Sequence, residues 1–567
     1  MASRSEQACK ACKKQKRRCD KARPECSLCK RTQRLCEYGI TADFQPTASD
    51  WHAMQARLTE LENRLAHSPG ATEQPVFLSP ASVADLASGS TFYESVDTLS
   101  AGLNSVTPDY STVEGSGPSS GANFPASMFL DIDCYVWSRA RLPVPTGAIP
   151  APVLELLSQG NVVLEVSQEY FATVHTWFPM VSKKRMDMGL PIQNAGPDLA
   201  MLFLGMKLIT TQAKNNIDSA LYDTAKSFLA SLESNGIVSL LCLQAMVLVA
   251  LYEYSHAIYP AAWMTVGSCT RYSDILGLTP GDHSILGQPT TWTEAEERRR
   301  VWWSIYALDK FVSMGSRKRC MLSDYQPDSK LPVDDDAWDR GDVSMALGHS
   351  TSVEYQVPQS PFARLCQVSM YLGRAIDFAR DNSAMSSTRI EHVTSFVDEL
   401  LGFGSLLEDE STDLRSFTLL APRCGIRSAL FVALDRFTCP EKISAEPGYT
   451  GIQGNKTQKE LELQRRSMQI MEQASELSRD LSSYILSIDR TELGRVSPFI
   501  LDSVYAGGAT FHWLFGESGN DIHREAARQI ETVLEGMSYI WRLGSTYREM
   551  LKVHDISARV EARSMLQ

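Results

Sequence analysis

Six cysteines fall between positions 9 and 36 and read C-x2-C-x6-C-x6-C-x2-C-x6-C. Cys9, Cys12 and Cys19 recur as Cys26, Cys29 and Cys36, each 17 positions later, so the pattern is an internal duplication. Thiolate is a preferred ligand of zinc, and structural zinc takes four ligands in a tetrahedron. Each half supplies three sulfurs, whereas two ions need eight ligand places. Two sulfurs must then bridge, one from each half if the duplication is structural. No histidine helps, because the first in the chain is His52. The spacing therefore predicts two Zn2+ per chain, held by Cys9, Cys12, Cys19, Cys26, Cys29 and Cys36.

Three other chemistries use clustered cysteines. A disulfide knot belongs to oxidising compartments. The start, MASRSEQACK, is polar and lacks the apolar stretch of a secretory signal, so the expectation is a soluble intracellular protein with reduced thiols. A single four-cysteine ribbon would strand Cys19 and Cys36. A catalytic zinc keeps an open position and recruits His or Glu, whereas an all-thiolate site is closed. The two-metal structural cluster is preferred over all three.

Charge shows what the module meets. Residues 1–40 carry 12 Lys+Arg against 4 Asp+Glu, which leaves −20 on the other 527 residues of a chain whose net charge is −12. Six thiolates and two divalent ions leave the module near +6 by the same count. A basic head on an acidic body is the asymmetry expected when one end meets a polyanion. Five of the six residues between Cys12 and Cys19 are basic: Lys13, Lys14, Lys16, Arg17 and Arg18, with Gln15 among them. The second half has three, Lys30, Arg31 and Arg34. Guanine presents O6 and N7 acceptors in the major groove, to which a lysine ammonium can donate. The richer first half is expected to face bases and the second to support phosphate contacts.

This spacing, the basic run and Pro24 closely resemble the fungal binuclear zinc cluster transcription factors. The resemblance implies that the first cysteine of each half, Cys9 and Cys26, bridges the metals. It implies a short helix between the second and third cysteines whose end enters the major groove. It also implies that Lys16, three residues before Cys19, reads a CGG triplet together with backbone carbonyls. Gln15 stands where the family usually carries a basic residue, which removes one expected phosphate contact. By the same resemblance the chain is expected in the nucleus, regulating RNA polymerase II genes with the transcription machinery, and activation is the family's commoner role.

The elements that position this reader follow. Trp51, Met54, Leu58, Leu61 and Leu65 recur at intervals of 3, 4, 3 and 4, an a/d seam over two heptads. Arg57 and Glu62 would meet reciprocally across a parallel homodimer, and Pro69-Gly70 stops the helix. The other reading is an amphipathic helix packed on its own chain; the dimer is preferred because the seam directly follows the reader. Residues 67–125 carry six acids and no Lys or Arg amid Ser, Thr, Gly and Pro, the composition of a disordered linker.

From residue 126 on, helical periodicity dominates. Val301, Ile305, Leu308 and Val312 share one helix face, and Thr293 with Glu296 is expected to cap its start. The most apolar run, 240–251, is too short to span a bilayer, and no membrane association is expected. Cys242 within it reads as a small core residue. The expected fold is thus a zinc-cysteine module (1–40), a linker and short coiled coil (41–66), a disordered linker (67–125) and a large all-α regulatory domain (126–567).

The body resembles the regulatory domain that follows such clusters in fungi. The matching pieces are Tyr170-Phe171 with His175, Phe178 and Pro179; Ser273 to Leu278; Glu297 to Trp303; Leu308-Asp309; and Leu331-Pro332 with the acids at 334–336. The arginines at 298–300 are expected to be salt-bridged beside packed tryptophans, and His175 to be a satisfied core histidine. No phosphate-binding glycine loop, HExxH or nucleophile elbow is present, so no enzyme is expected. A repressor, or a small-molecule receptor tethered to DNA, remains compatible with the same residues.

Overall fold

The structure is a computed structural model; it describes residues 8–9, 12, 18–22, 25–32 and 36 near the N-terminus and, with short gaps, 124–565. The predicted seam at 51–66 and all but the last two residues of the predicted linker lie outside the described residues. The chain divides into two compact units, Met1–Val106 and Thr107–Gln567.

Among the described residues of the first unit the structure gives the short helix α1 (Ser27–Arg31). The described buried residues of this unit are the cysteines Cys9, Cys12, Cys26 and Cys29, with Leu28 packed against them. So small a cluster cannot supply the apolar burial that holds an ordinary domain together.

The second unit is helical throughout its described residues, where the sole antiparallel contact is an isolated bridge between Lys330 and Ser350. Its earlier half packs α2 (Val162–Ala172), α3 (Pro197–Thr210), α4 (Leu240–Ser255), α5 (Ala261–Ile275) and α6 (Trp292–Met314). The short α7 (Asp335–Arg340) leads to α8 (Pro361–Arg380) and α9 (Ser387–Glu410). The later half is built from α10 (Leu420–Thr438), α11 (Gln458–Leu486), α12 (Leu501–Ser518), α13 (Asp521–Met537) and α14 (Leu543–Met565). α6 packs on α8 and α8 on α10, so one continuous apolar core runs through both halves.

α4 is apolar on every side, and all its residues from Cys242 to Ser255 are buried, as an all-round hydrophobic helix requires. Burial pushes the Cys242 thiol up to about 11, which leaves it an inert core residue. A longer apolar helix than the one singled out in the sequence spans Phe417–Thr438, and 83% of its apolar window is buried inside the fold. Its Arg423 and Arg427 both pair with Glu408 of α9, so this length of helix serves as an interior element.

Val301, Ile305, Leu308 and Val312 of α6 all face the core. The helix starts two residues earlier than its pattern predicts, however. Thr291 is the N-cap, its hydroxyl accepting from the Glu294 N–H at 3.2 Å, and the Glu294 carboxylate accepts from the Thr290 N–H at 3.0 Å. Glu296 is instead drawn into the interior, where its carboxylate accepts from the Arg300 Nε at 3.0 Å and the Val333 N–H at 2.9 Å.

The segments that carried the second resemblance converge there. Arg300 is fully buried; it donates to Glu296, to Asp335 at 2.8 Å and to the carbonyls of Pro179 at 3.2 Å and Val333 at 2.8 Å. Its guanidinium lies 4.2 Å from the centre of the Trp338 ring. Arg298 and Arg299 pair with Glu294 and Glu296, and Trp302 and Trp303 are buried beside them. The His175 ring stacks on Trp338, and its Nε2 meets the Asp339 carboxylate at 3.0 Å while its Nδ1 is buried without a partner. This arginine-centred network ties α6, α7 and the turn after α2 together. It is structural.

Candidate metal centre and nucleic-acid interface

The local fold of the module aims sulfur and N–H groups inward. Cys26 is the N-cap of α1, and its Sγ accepts from the Cys29 N–H at 3.4 Å. The Cys26 N–H in turn donates to Cys36 Sγ at 3.2 Å. The tight C-x2-C turn therefore places Cys26 and Cys29 one helical turn apart with both sulfurs on the buried side. Thr32 closes α1 by donating its N–H to the Leu28 carbonyl at 3.0 Å.

Sequence reasoning missed Asp20. Its carboxylate accepts from the Ser27 N–H at 3.2 Å and from the Ser27 hydroxyl, which holds it below the ordinary carboxylate range. An acid at the first residue of a helix satisfies an otherwise orphaned N–H. Because Asp20 directly follows Cys19, it ties the end of the first half to the start of the second. The available signal was an acid next to a ligand, facing a serine that opens a helix.

The six sulfurs come together as two overlapping sets. Those of Cys9, Cys12, Cys19 and Cys26 all lie within 4.8 Å of one another, and so do those of Cys9, Cys26, Cys29 and Cys36. Four sulfurs placed about 2.3 Å from one zinc in a tetrahedron are about 3.8 Å apart. Within the first set Cys12 and Cys26 are 3.7 Å apart; within the second Cys9 and Cys29 are 3.6 Å apart; and Cys9 and Cys26, common to both, are 3.8 Å apart. The donor set fits two zinc ions. All six thiols are free, and Cys19 and Cys36 each belong to one of the sets, so neither a disulfide knot nor a single ribbon describes them.

The thiols are electrostatically unequal. Burial raises each buried thiol, but at Cys26 the Cys29 N–H and the neighbouring sulfurs outweigh it and bring the group down to about 6. Cys9 moves in the same direction against the same burial, aided by the Cys12 backbone. Cys12 is pushed up to about 12 by burial and by the sulfurs of Cys9 and Cys26. The two sulfurs shared by both sets are thus the two most readily ionised of these. A coordinated divalent cation deprotonates its thiols outright.

Of the nine predicted DNA-contacting residues, Arg18, Lys30 and Arg31 are described, and all three are exposed. Lys30 and Arg31 sit in the last turn of α1, where cations are favoured by the helix dipole. Lys13, Lys14, Gln15, Lys16, Arg17 and Arg34 lie outside the described residues, as do Trp51, Met54, Leu58, Leu61 and Leu65 of the predicted seam.

Comparison with known proteins follows this division. Residues 7–43 match the model of the fungal Zn(2)-Cys(6) binuclear cluster domain, and residues 168–402 match that of the fungal specific transcription factor domain. Transcription factor BOA15 of Botryotinia fuckeliana is 41% identical over 174 residues, covering 30% of this chain and 97% of that protein. The citrinin biosynthesis transcriptional activator mrl3 of Monascus ruber is 25% identical over 403 residues, 67% of this chain and 74% of its own length. The azaphilone cluster-specific transcription factor azaR of Aspergillus niger is 24% identical over 249 residues, 41% of this chain and 53% of its own.

Proposed function

Because this chain belongs to the fungal Zn(2)-Cys(6) binuclear cluster transcription factors, a family of DNA-binding regulators, we propose that it acts in the nucleus as a homodimeric activator reading CGG-type triplets. Its module binds two zinc ions through six cysteines. The observation that carries the DNA-reading module is the sharing of Cys9 and Cys26 between the two sulfur sets; the family and the names of its relatives support the rest. In this reading those two sulfurs bridge the metals and lock the halves of the duplication together. Bound zinc contributes folding free energy and rigidity and no reaction chemistry, because a site closed by thiolates offers no open position. The chain works as a regulator and not as an enzyme.

Lys16 donates to guanine O6 and N7, and Lys13, Lys14, Gln15, Arg17 and Arg18 line its path over the DNA. Lys30, Arg31 and Arg34 hold phosphates; the exposure of Lys30 and Arg31 at the end of α1 supports that assignment. The 1–40 reader is followed by the connection and seam of 41–66, the tether of 67–125 and the regulatory body of 126–567. A seam through Trp51, Met54, Leu58, Leu61 and Leu65 presents two readers at a fixed separation. The names of the citrinin and azaphilone regulators support a set of biosynthetic genes as the target, transcribed by RNA polymerase II.

The test is titration of the full-length zinc-loaded chain onto duplexes carrying one CGG triplet, two triplets or none. Tight cooperative binding is expected only with two. Replacing Leu58 and Leu61 together by Lys places charge in the seam and is expected to abolish the cooperativity while leaving weak single-triplet binding. Equal affinity for all three duplexes contradicts the reading, and cooperativity that survives both lysines contradicts the seam.

A further inference from the structure

A cleft of about 620 Å3 opens in the later half of the body, a size suited to a small-molecule ligand. Three helices turn one face each toward it. α10 contributes Ser428 and Phe431, α12 contributes Asp502, Ala506 and Ala509, and α14 contributes Tyr547, with the positions on α10 and α12 spaced three or four residues apart along one face. Here the small Ala506, Ala509 and Ser428 leave the space open. Apart from Met314 and Gly315 at its edge, the lining lies beyond the matched residues 168–402.

The polar groups in this cleft share one character. Asp502 is only 6% exposed, and its carboxylate accepts from the Tyr254 hydroxyl and, at 2.5 Å, from the Tyr547 hydroxyl. A carboxylate has about four lone-pair sites, so two donors leave acceptor capacity unused. Among the described residues no lysine or arginine lines the cleft and Asp502 makes no ion pair, whereas the buried Glu296 has one. Asp435 adds a second acid, and His554 sits beside the Tyr505 hydroxyl, its Nε2 3.1 Å away. Tyr505 and Tyr547 stack at 4.4 Å, and with Trp513 and Phe431 they offer aromatic faces, which attract cations. The Ser428 hydroxyl is buried in the lining without a hydrogen-bond partner.

We propose that this cleft is a binding site for a small molecule carrying a protonated amine on an aromatic or aliphatic body. The amine donates to Asp502 and lies against the Tyr505–Tyr547 stack, the apolar body fills the space over Ala506 and Ala509, and Ser428 gains the partner it lacks. An anionic ligand meets the Asp502 carboxylate and, among the described residues of the lining, no lysine or arginine, and is disfavoured.

The experiment uses the full-length zinc-loaded chain and three probe amines, phenethylamine, tryptamine and 2-(1-naphthyl)ethylamine, each beside its carboxylate analogue, with binding followed by calorimetry. At least one amine is expected to bind saturably, roughly tenfold or more tighter than its carboxylate partner, the value of one charge-assisted hydrogen bond. Asp502→Asn keeps a hydrogen-bond partner for both tyrosines, its oxygen accepting from one hydroxyl and its amide nitrogen donating to the other, and is expected to erase that preference. Ala509→Trp fills the cleft and is expected to abolish binding, so the pair remains informative if one variant fails to fold. Zinc content and DNA binding are measured on the same samples, which separates failure of this site from failure of the DNA reading. No saturable binding by any amine, a carboxylate binding as tightly as its amine, or full affinity in folded Ala509→Trp each overturns the proposal.

Discussion

The module of residues 9–36 buries Cys9, Cys12, Cys26 and Cys29, while the helical body buries Trp302, Trp303 and Trp541 within a continuous apolar core. In the module, side chains that would be small core residues elsewhere are gathered as ligands. In the body, Cys242, Cys366 and Cys424 are buried singly, with burial raising each thiol. The same residue type does two jobs, and the difference is whether other sulfurs stand within about 4 Å, the spacing that one zinc imposes. The comparison teaches that the reader's fold is conditional on metal, while the body's fold depends on packing and on a few buried ion pairs.

Chelation of zinc is the largest lever on this comparison. Structural zinc contributes on the order of 10–16 kcal/mol of apparent free energy in small finger modules, so metal removal is expected to unfold the module and abolish specific DNA binding. The helical circular dichroism and melting of the body should be unchanged. Concerted loss of both would mean that the body also depends on the metal.

The converse perturbation is Arg300→Ala, which leaves Glu296 buried against Val333 without its buried counter-charge. Breaking such a pair typically costs about 3–5 kcal/mol. Thermal melting of the body should fall accordingly while the zinc content of the module stays the same. An unshifted melting temperature would show that the network around Arg300 is dispensable.

Acid should act on the module and on Asp502 of the body with opposite signs. Metal affinity falls as thiolates protonate. In the body, burial pushes Asp502 up to about 6 against Tyr254 and Tyr547, above its unfolded value of 3.8. The folded state then retains a proton that the unfolded state has released, so this group's contribution to stability falls as pH rises from about 4 to 6 and is flat above. His256, lowered to about 4 by burial, opposes it over the same range, since its neutral form is favoured in the fold. The difference between wild type and Asp502→Asn isolates the aspartate. Its total change over that range should be on the order of 3 kcal/mol at most, and parallel pH–stability curves would contradict it.

The smallest effects separate residues within the reader. Lys16→Ala should lose roughly 1–3 kcal/mol of discrimination between CGG and altered triplets. Arg31→Ala should weaken binding to all sequences alike and reduce the slope of log affinity against log salt by about one unit. A uniform loss for Lys16→Ala on specific and scrambled DNA would remove it as the base reader.

The six ligands were legible in the sequence because their spacing repeats after 17 residues and zinc demands thiolates in fours. Spacing alone did not say which sulfurs the two sets share; the family resemblance implied Cys9 and Cys26, and the same two sulfurs belong to both sets in the structure. The core face of α6 was legible through its period, but its start was not. Thr291 with Glu294 and Thr293 with Glu296 are the same local pattern, and the choice is made by Arg300 and the Val333 N–H, which take Glu296 inside. Asp20 was missed because its partner Ser27 lies across the duplication. The cleft could not be read at all, since its walls come from separate helices and its defining feature is space left by Ala506 and Ala509.

The central claim is that Cys9 and Cys26 serve both metals. It is tested most directly by counting zinc in the purified full-length chain carrying Cys9→Ala or Cys19→Ala, beside wild type. The account predicts two ions per chain in wild type, about one in Cys19→Ala, which lies in a single set, and close to none in Cys9→Ala, which lies in both. Retention of one ion by Cys9→Ala, equal to Cys19→Ala, would contradict the shared-sulfur cluster.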